Sequence, residues 1–379
     1  MTDKLSQFLA TRPWILADGA TGTNLFALGL EHGDAPERWN LEETAKVKAH
    51  YRSFIDAGSD LVLTNTFGGT ANRLKLHDMQ DQVHEINAAA ARLLRESIAE
   101  SGRDVICAGD VGPTGDLFQP VGPLSFEDGV AAFEAQMQGL KDGGADVLWV
   151  ETMSSEDEYK AALEAAFRVG MPVVGTMSFD TNGRTMMGVT PKRLASLAHE
   201  CDHDHAPRAF GGNCGTGAPD LLIGIISAAD EIREDDVIVT KANCGIPEYV
   251  DGAIRYSGTP ELMADYACLA RDLGVRIIGG CCGTQPGHVA AMREALETVA
   301  PGPRPSVEAR PTGRAFLMFG GGPRPRQPSP RKRPPRRVGR GGRDRHGAWP
   351  GRRIRAPRSG RQRRRTAHSP GTRAGRRPR

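Results

Sequence analysis

Two adjacent cysteines and a third, distant one are the residues whose type and spacing best suit chemistry. Cys281 and Cys282 stand between glycines in Gly279-Gly280-Cys281-Cys282-Gly283-Thr284, and Cys214 lies in Gly212-Asn213-Cys214-Gly215. Adjacent cysteines form a relaxed disulfide with each other only with difficulty, but both can reach one metal ion where the backbone is tight. Three thiolates without an obvious fourth protein ligand predict a Zn²⁺ site with one open position, as catalytic rather than structural zinc sites have.

The other four cysteines give no sign of a disulfide framework. The total of seven is odd, and the N-terminus lacks the apolar segment of a secretory signal. No stretch approaches the ~18 apolar residues of a membrane span. We therefore expect a cytoplasmic protein whose thiols stay reduced and free to bind metal. Cys107 and Cys268 lie in patterns that favour core positions, and Cys244, which follows a predicted strand, is an alternative ligand.

Charge divides the chain into two dissimilar parts. Residues 1–300 hold 24 Lys and Arg against 44 Asp and Glu, a balance of −20, and have the composition of an ordinary globular sequence. Residues 301–379 hold 25 basic residues against only Glu308 and Asp344, a balance of +23. This second part is rich in Arg, Pro and Gly and poor in apolar residues, so it is predicted to be a disordered tail.

Three interpretations of the basic tail are open. Dense arginine drives salt-dependent contacts with phosphate, so the chain could be a nucleic-acid-binding protein that uses its globular part as a scaffold. A solvated natural tail is the second interpretation. The third is a frameshift near Val307–Arg314, because beyond Arg310 nearly every basic residue is Arg. Such a bias is typical of a GC-rich reading frame translated out of phase.

Short apolar runs alternate with helix-length amphipathic segments throughout residues 1–300. The predicted strands are Trp14–Asp18, Asp60–Asn65, Asp104–Asp110, Ala145–Glu151, Pro172–Phe179, Pro207–Asn213, Val237–Ala242 and Val275–Gly280. The predicted helices are Glu42–Ala57, Asp81–Glu100, Phe126–Asp142, Glu156–Val169, Pro191–Glu200, Ala218–Asp230, Pro260–Leu273 and Pro286–Thr298. Strands that alternate with helices in this way indicate βαβ units and a parallel sheet.

Eight such units over roughly 290 residues predict an α/β fold of the (β/α)8 TIM barrel type over residues 1–300. A doubly wound sheet is the alternative, but the turn Asp18-Gly19-Ala20-Thr21-Gly22-Thr23 lacks the glycine spacing of a dinucleotide site. In a barrel, polar residues at the carboxyl ends of the strands converge on the face that carries active sites. These residues are Asp18, Thr64, Asn65, Thr66, Asp110, Glu151, Asn213, Cys214, Asn243, Cys281 and Cys282.

The motifs at these strand ends resemble those of the homocysteine S-methyltransferase family, most closely its bacterial betaine–homocysteine S-methyltransferases. The matching stretches are Asp18-Gly19-Ala20-Thr21-Gly22-Thr23, Thr64-Asn65-Thr66-Phe67-Gly68, Gly109-Asp110-Val111-Gly112-Pro113, Glu151-Thr152-Met153, Asn213-Cys214 and Gly279–Thr284. They run in order over residues 10–298, so the resemblance covers the acidic part of the chain and not the tail. The Gly-Gly-Cys-Cys element with a distant Asn-Cys is its most specific feature.

The resemblance implies a homocysteine-binding barrel in which Cys214, Cys281 and Cys282 bind Zn²⁺ and the homocysteine thiol takes the open position. A free thiol is mostly protonated at neutral pH, and coordination to Zn²⁺ keeps it deprotonated and nucleophilic. The thiolate would attack a methyl group on a cationic donor and give methionine. The predicted partners are therefore homocysteine and a small cationic methyl donor.

The same resemblance implies how homocysteine is held. Glu151 would accept a hydrogen bond from its ammonium group. Asp18, Gly19 and Thr64 would position its amino and carboxylate ends, with backbone N–H groups contributing. Asn213 would brace the loop that carries the first metal ligand.

Betaine is the expected methyl donor, with S-methylmethionine or a methyl-corrinoid protein as alternatives. Betaine and S-methylmethionine present a methyl group on a cationic centre, which an aromatic face holds well. Trp39, in the loop after the first strand, is the candidate for that contact; its alternative role is to cover the barrel rim. Gly68 and Thr152 stand where animal betaine enzymes have tyrosines, whereas the run Phe179–Met187 resembles the bacterial betaine enzymes.

Overall fold

Eight parallel strands surround the centre of the molecule. The structure is a computed structural model that describes residues 3–305, apart from 32, 203–204 and 251–252. The strands are β1 (Ile15–Leu16), β2 (Leu61–Leu63), β3 (Ile106–Val111), β4 (Val147–Met153), β5 (Val173–Met177), β6 (Ala209–Cys214), β7 (Ile238–Ala242), β8 (Pro247–Val250), β9 (Ala253–Tyr256) and β10 (Ile277–Gly280). All except β8 and β9 belong to the barrel. The parallel strands pair in the order β1-β10-β7-β6-β5-β4-β3-β2, and a bridge between Ala17 and Leu61 joins β2 back to β1. The predicted (β/α)8 barrel is confirmed.

Helices follow the strands on the outside of the barrel. They are α1 (Lys4–Thr11), α2 (Gly22–Ala27), α3 (Trp39–Glu42), α4 (Thr44–Asp56), α5 (Ala71–Leu74), α6 (Val83–Ser101), α7 (Phe126–Asp142), α8 (Glu156–Val169), α9 (Pro191–Glu200), α10 (Ala218–Ser227), α11 (Pro260–Asp272) and α12 (Pro286–Thr298). The eight predicted helices are all present, and α7, α8, α9 and α12 begin and end at the predicted residues. Side-chain caps explain three of these starts, since Ser125, Ser155 and Thr190 each accept from the N–H three residues later.

Apolar side chains fill two layers, one inside the barrel and one between the strands and the helices. The inner layer includes Ile15, Ile106, Val147, Trp149, Val239 and Ile277. Alternate residues of the same strands face the helices, among them Leu16, Cys107, Leu148 and Ile278. Because both faces of each strand are covered, the strands have near-continuous apolar sequences.

The short helices α2, α3 and α5 were not predicted, and neither were a first helix and a hairpin. Leu5 and Phe8 of α1 pack with the inner layer, and Lys4 donates to the Val105 carbonyl just before β3, so α1 covers the amino-terminal end of the barrel. The hairpin of β8 and β9 is antiparallel and is inserted between β7 and α11.

The predicted basic tail, residues 301–379, lies outside the described residues from residue 306 onward. Its disorder, its origin and a role in binding nucleic acid therefore stay predictions. Among the residues that the structure describes, no helix combines the length and apolar character needed to cross a membrane.

Close packing of β6 against β7 predicts a strong effect of a single methyl group. A Cβ at Gly211 in β6 would lie 2.0 Å from the Val239 carbonyl oxygen of β7, which is backbone and cannot move aside. We expect Gly211→Ala to lower the free energy of unfolding by on the order of 3 kcal/mol, measured by urea denaturation followed by circular dichroism.

The matched control is Gly287→Ala in α12, where a Cβ meets no atom within 4 Å. This change should leave stability the same or raise it by about 0.4–1 kcal/mol. Equal unfolding midpoints for the two variants would contradict the packing argument.

Candidate active site

Three thiols meet at the carboxyl ends of two strands that lie on either side of β7. β7 lies between β6 and β10, so Cys214 at the end of β6 and Cys281 and Cys282 just after β10 come to the same edge of the barrel. The Cys214 and Cys282 sulfur atoms are 3.9 Å apart, and all three sulfurs lie within 4.8 Å of one another. In the described part of the chain, no other group of three His, Cys, Asp or Glu side chains is arranged to hold a metal ion.

Left-handed backbone occurs in both segments that carry the thiols. Cys214 has a φ of +60°, a region that costs a non-glycine residue on the order of 1–3 kcal/mol. Gly283, directly after the cysteine pair, has a φ of +78°, and a Cβ there would lie 2.3 Å from the ring of Tyr256. The backbone and the tyrosine ring therefore both require glycine after the two cysteines.

Asn243 directly follows β7, which ends at Ala242. Its side chain connects the two segments that carry the thiols. Its Oδ1 accepts from the Cys282 N–H at 3.0 Å, and its Nδ2 donates to the Gly215 carbonyl at 2.6 Å. The Cys281 N–H donates to the Ala242 carbonyl at 2.7 Å. One buried amide thus bridges the loop after β6 and the loop after β10.

Asn213 braces β6 against β4 and β5 in a similar way. Its Oδ1 accepts from the Thr152 N–H at 2.9 Å and the Thr176 hydroxyl at 2.8 Å, while its Nδ2 donates to the Thr152 hydroxyl at 2.7 Å. Thr152 is another non-glycine residue with a left-handed backbone, at a φ of +63°. Because Thr152 follows Glu151, the Asn213 side chain also holds the backbone that carries Glu151.

The donor set and its spacing fit Zn²⁺. Zn–S bonds of about 2.3 Å in a tetrahedron place sulfur atoms about 3.8 Å apart, close to the 3.9 Å between Cys214 and Cys282. The interaction with Cys214, together with burial, raises the pKa of the Cys281 thiol well above its usual value. Three thiolates at this spacing therefore need a cation to balance them, and thiolate ligands favour Zn²⁺ over Mg²⁺ or Ca²⁺. Cys244, the alternative ligand, is buried outside this group.

The thiols form part of the wall of a cavity of about 420 Å³ at the carboxyl end of the barrel. The inner wall includes the thiols and three charged residues in the strands or at their ends, Asp110, Glu151 and Lys241. The outer wall comes from the segments that follow β1 and β2, and includes Phe26, Glu37, Phe67, Arg73 and His77.

A buried ion pair supports the inner wall. Lys241 Nζ lies 2.8 Å from Asp18 Oδ1, and the two side chains are only 2% and 1% exposed. Burial opposes the charge of Lys241, but Asp18 and Glu151 outweigh it and raise the pKa of the ammonium. The second Asp18 oxygen accepts from the Leu63 N–H at 2.8 Å, so Asp18 has a protein partner for each oxygen.

Two further carboxyl groups face the cavity. Burial raises the pKa of Glu151, whose Oε2 accepts from Trp149 Nε1 at 3.0 Å. Burial and the neighbouring Glu151 carboxylate raise the pKa of Asp110 well above its usual value. Asp110 Oδ1 is buried and has no hydrogen-bond partner among the described residues. With Asp18, these groups make three acids against the single cation of Lys241, so the inner wall suits a ligand that brings positive charge.

The predicted site residues divide between the cavity wall and the layer behind it. Those that line the cavity are Gly19, Glu151, Cys214, Cys281 and Cys282. Those in the layer behind it are Asp18, Thr64, Asn213 and Trp39.

Thr64 and Trp39 have structural partners in that layer. The Thr64 hydroxyl accepts from the Asp110 N–H at 2.9 Å and lies 2.6 Å from the Thr66 hydroxyl, so it joins β2 to β3. Trp39 packs in the core, and the Lys46 ammonium lies 4.4 Å from the centre of its ring. Its aromatic face is thus occupied by a cation of the protein, outside the cavity.

Several residues of the cavity and its support were not predicted as site residues. Asp110 and Asn243 had been recognised as strand-end residues, and that position was the signal for both. Lys241 lies within an apolar strand, where a charged residue is rare unless it is paired. Glu37 and Arg73 lie on a short turn, Pro36–Arg38, and on α5, beyond the strand ends that guided the prediction.

Comparison with known proteins supports the family resemblance that the strand-end motifs of the sequence indicate. A model of the homocysteine S-methyltransferase family matches residues 15–296. The metallated form of the homocysteine methyltransferase MmuM from Escherichia coli is 21% identical, with a TM-score of 0.65, and the match covers 76% of this chain and 99% of that one. The apo form of the same protein is 20% identical, with a TM-score of 0.59, and the match covers 77% and 99%. The structural matches support the fold.

The bridging position of Asn243 predicts that it sets metal affinity without touching the metal. We expect Asn243→Ala to weaken Zn²⁺ binding by roughly 10- to 100-fold, because the two thiol-bearing loops lose their common partner. Competition with a chromophoric chelator measures the affinity directly. Asn72→Ala is the control, since the Asn72 side chain donates to Asp116 and has no link to the cysteines. Unchanged affinity in Asn243→Ala would show that the loops hold their geometry without it.

Proposed function

The chain belongs to the homocysteine S-methyltransferase family, and we propose that it transfers a methyl group from betaine to homocysteine with Zn²⁺ held by three cysteines. The observation that carries this proposal is the meeting of the three thiols at the wall of a cavity that the Asp110 and Glu151 carboxyl groups also line. In the reaction an S–CH₃ bond forms as an N–CH₃ bond of betaine breaks, giving methionine and dimethylglycine. We place the activity in the cytoplasm, because a reducing compartment keeps the thiols free.

Cys214, Cys281 and Cys282 would hold the metal on the inner wall. Bound Zn²⁺ supplies the positive charge that keeps the thiol of homocysteine deprotonated near neutral pH. The protein contributes the geometry, since Asn243 and the left-handed backbone at Cys214 fix the two thiol-bearing loops relative to each other.

Glu151 and Asp110 are the proposed partners of the homocysteine ammonium. Both carboxyl groups line the cavity, and burial raises the pKa of each by more than the nearby charge of Lys241 lowers it. An ammonium group between them would supply positive charge and a donor for the unpartnered Asp110 Oδ1. Asn213, through Thr152, holds Glu151 in position for this contact.

The outer wall is the proposed site of the methyl donor. Phe26 and Phe67 line it, and aromatic side chains bind quaternary ammonium groups well. The cation–π contact predicted for Trp39 is accordingly assigned to these two side chains. S-Methylmethionine and a methyl-corrinoid protein are the competing donors. A nucleic-acid-binding role rests on the basic tail, outside the described residues.

Methionine formation from homocysteine tests the proposal. The zinc-loaded full chain is offered betaine, S-methylmethionine or no donor in parallel, and we expect product from betaine. The activity of Cys282→Ala should fall by more than the roughly 10- to 100-fold that follows from removing a residue that only supports a metal ligand. Cys201→Ala, a half-buried cysteine outside the group of three, is the control and should retain activity. If methionine forms with S-methylmethionine and not with betaine, the donor is S-methylmethionine. If it forms with neither, the proposed reaction is rejected.

The ammonium contact is tested by comparing two thiols. Glu151→Gln should raise the KM for homocysteine by about 10- to 100-fold, since a hydrogen bond to a charged group contributes about 1.5–3 kcal/mol. The effect should disappear with 4-mercaptobutanoate, which lacks the amino group. Gln138→Glu, an exposed change on α7, controls for altered surface charge. Equal losses with both thiols would mean that Glu151 acts on something other than the ammonium.

A further inference from the structure

Arg73 on the outer wall has no hydrogen-bond acceptor for its side chain among the residues that the structure describes. Its side chain is half-buried, lines the cavity, and makes no hydrogen bond or ion pair with any of the described residues. Most other half-buried arginines are paired. Arg12 and Arg293, for example, both bind the Asp60 carboxylate, and Arg193 binds Glu156.

The acidic groups near Arg73 are already engaged. Asp116 accepts from Asn72 at 2.7 Å and from Lys75 at 3.1 Å. The Glu37 carboxylate is buried and accepts from the Gly68 N–H at 2.6 Å. Burial raises the pKa of Glu37, and Arg73 and His77, which lie close to it, counteract part of that effect.

The position of Arg73 is fixed by its surroundings. The Thr70 hydroxyl caps the short helix α5 that carries it, accepting from the Arg73 N–H. A Cβ at Gly115 would lie 3.1 Å from Arg73 Nη1 and 3.2 Å from its Cδ, so the stem of the side chain packs against the loop after β3. The side chain of Arg73 therefore packs against this loop where it lines the cavity.

The two walls of the cavity offer different side chains to a charged ligand. The inner wall carries the three thiols, Asp110 and Glu151 with the single cation of Lys241, whereas Arg73 and His77 lie on the outer wall beside the Glu37 carboxylate. Arg73 and His77 provide hydrogen-bond donors on the outer wall, and the guanidinium matches a carboxylate in shape as well as charge. We therefore expect a zwitterion to place its cationic centre toward the acidic groups of the inner wall and its carboxylate toward Arg73, the residue of the outer wall that can bind it through two N–H groups.

We propose that Arg73, with His77 beside it, binds the carboxylate of the methyl donor and so selects donors that combine an onium centre with a carboxylate. The inference rests on the proposed methyl transfer. Betaine fits it because one CH₂ group separates its quaternary nitrogen from its carboxylate. Choline and tetramethylammonium carry the same kind of methyl group but no anion for Arg73. Arg73 is thus a specificity residue rather than a catalytic one.

Kinetics with two donors tests the assignment. The ratio of kcat/KM for betaine to that for tetramethylammonium should fall by about 10- to 100-fold in Arg73→Met, which removes the charge but keeps the length of the side chain. Arg73→Lys should recover part of the ratio. The KM for homocysteine should not change. Arg38→Met is the matched control, because Arg38 is half-buried nearby but does not line the cavity.

Each of two other kinetic results would overturn the proposal. A raised KM for homocysteine with an unchanged donor ratio would assign Arg73 to the amino-acid acceptor. An equal loss with both donors would assign it to the structure of the wall.

A binding measurement separates this inference from the proposed reaction. Titration calorimetry with dimethylglycine, which keeps the carboxylate, needs no turnover. Weaker binding by Arg73→Met than by the wild-type chain and Arg38→Met supports the carboxylate site even if no donor yields methionine. Equal binding by all three proteins rejects it, whatever the outcome of the activity assay.

Discussion

The buried ion pair between Asp18 and Lys241 is the interaction on which both the barrel and its cavity depend. One Asp18 oxygen accepts from Lys241 in β7, and the other accepts from the Leu63 N–H in β2. This one carboxylate therefore links β7 to β2 at the point where β2 joins β1 and closes the barrel. Removing either charge would leave the other buried and unpaired, which costs about 3–5 kcal/mol. The same pair places the one cation of the inner wall, and the acids around it then outnumber it. The charge that the cavity presents to a ligand thus follows from the way the barrel is closed.

The side chains of Asn213 and Asn243 hold the residues of the site in position by hydrogen-bonding between strands and the loops that follow them. Asn243 joins the loops after β6 and β10, and Asn213 holds β4 against β6. Each does so through both ends of its amide, which a carboxylate could not match because it lacks donors. The groups that face a ligand are consequently positioned by residues that never touch it. Thr152 and Cys214 keep their left-handed backbones within this network.

The sequence predicted the barrel and the meeting of the thiols, because both follow from local patterns. Serine and threonine caps and prolines mark the starts of α7, α8, α9 and α12, and parallel strands bring their carboxyl ends to one edge. The direction of individual side chains could not be predicted this way. Trp39 lies on a four-residue helix whose buried face depends on tertiary packing, and Thr64 and Asp18 turn toward protein partners. Lys241 and Arg73 were missed because their importance comes from neighbours distant in sequence.

Cys214 and Cys282 are 68 residues apart in the sequence, and β10, the strand before Cys281 and Cys282, is the last strand of the barrel. At a synthesis rate of about 5–20 residues per second, Cys214 leaves the ribosome roughly 3–14 s before Cys282. Before then the nascent chain has one ligand and no partner for β1 on its β10 side, since Ile15 pairs with Ile277. The full ligand set and the closed ring therefore come into existence in the same step. A chain interrupted before Cys281 would therefore lack two of the three thiols as well as the strand that pairs with β1.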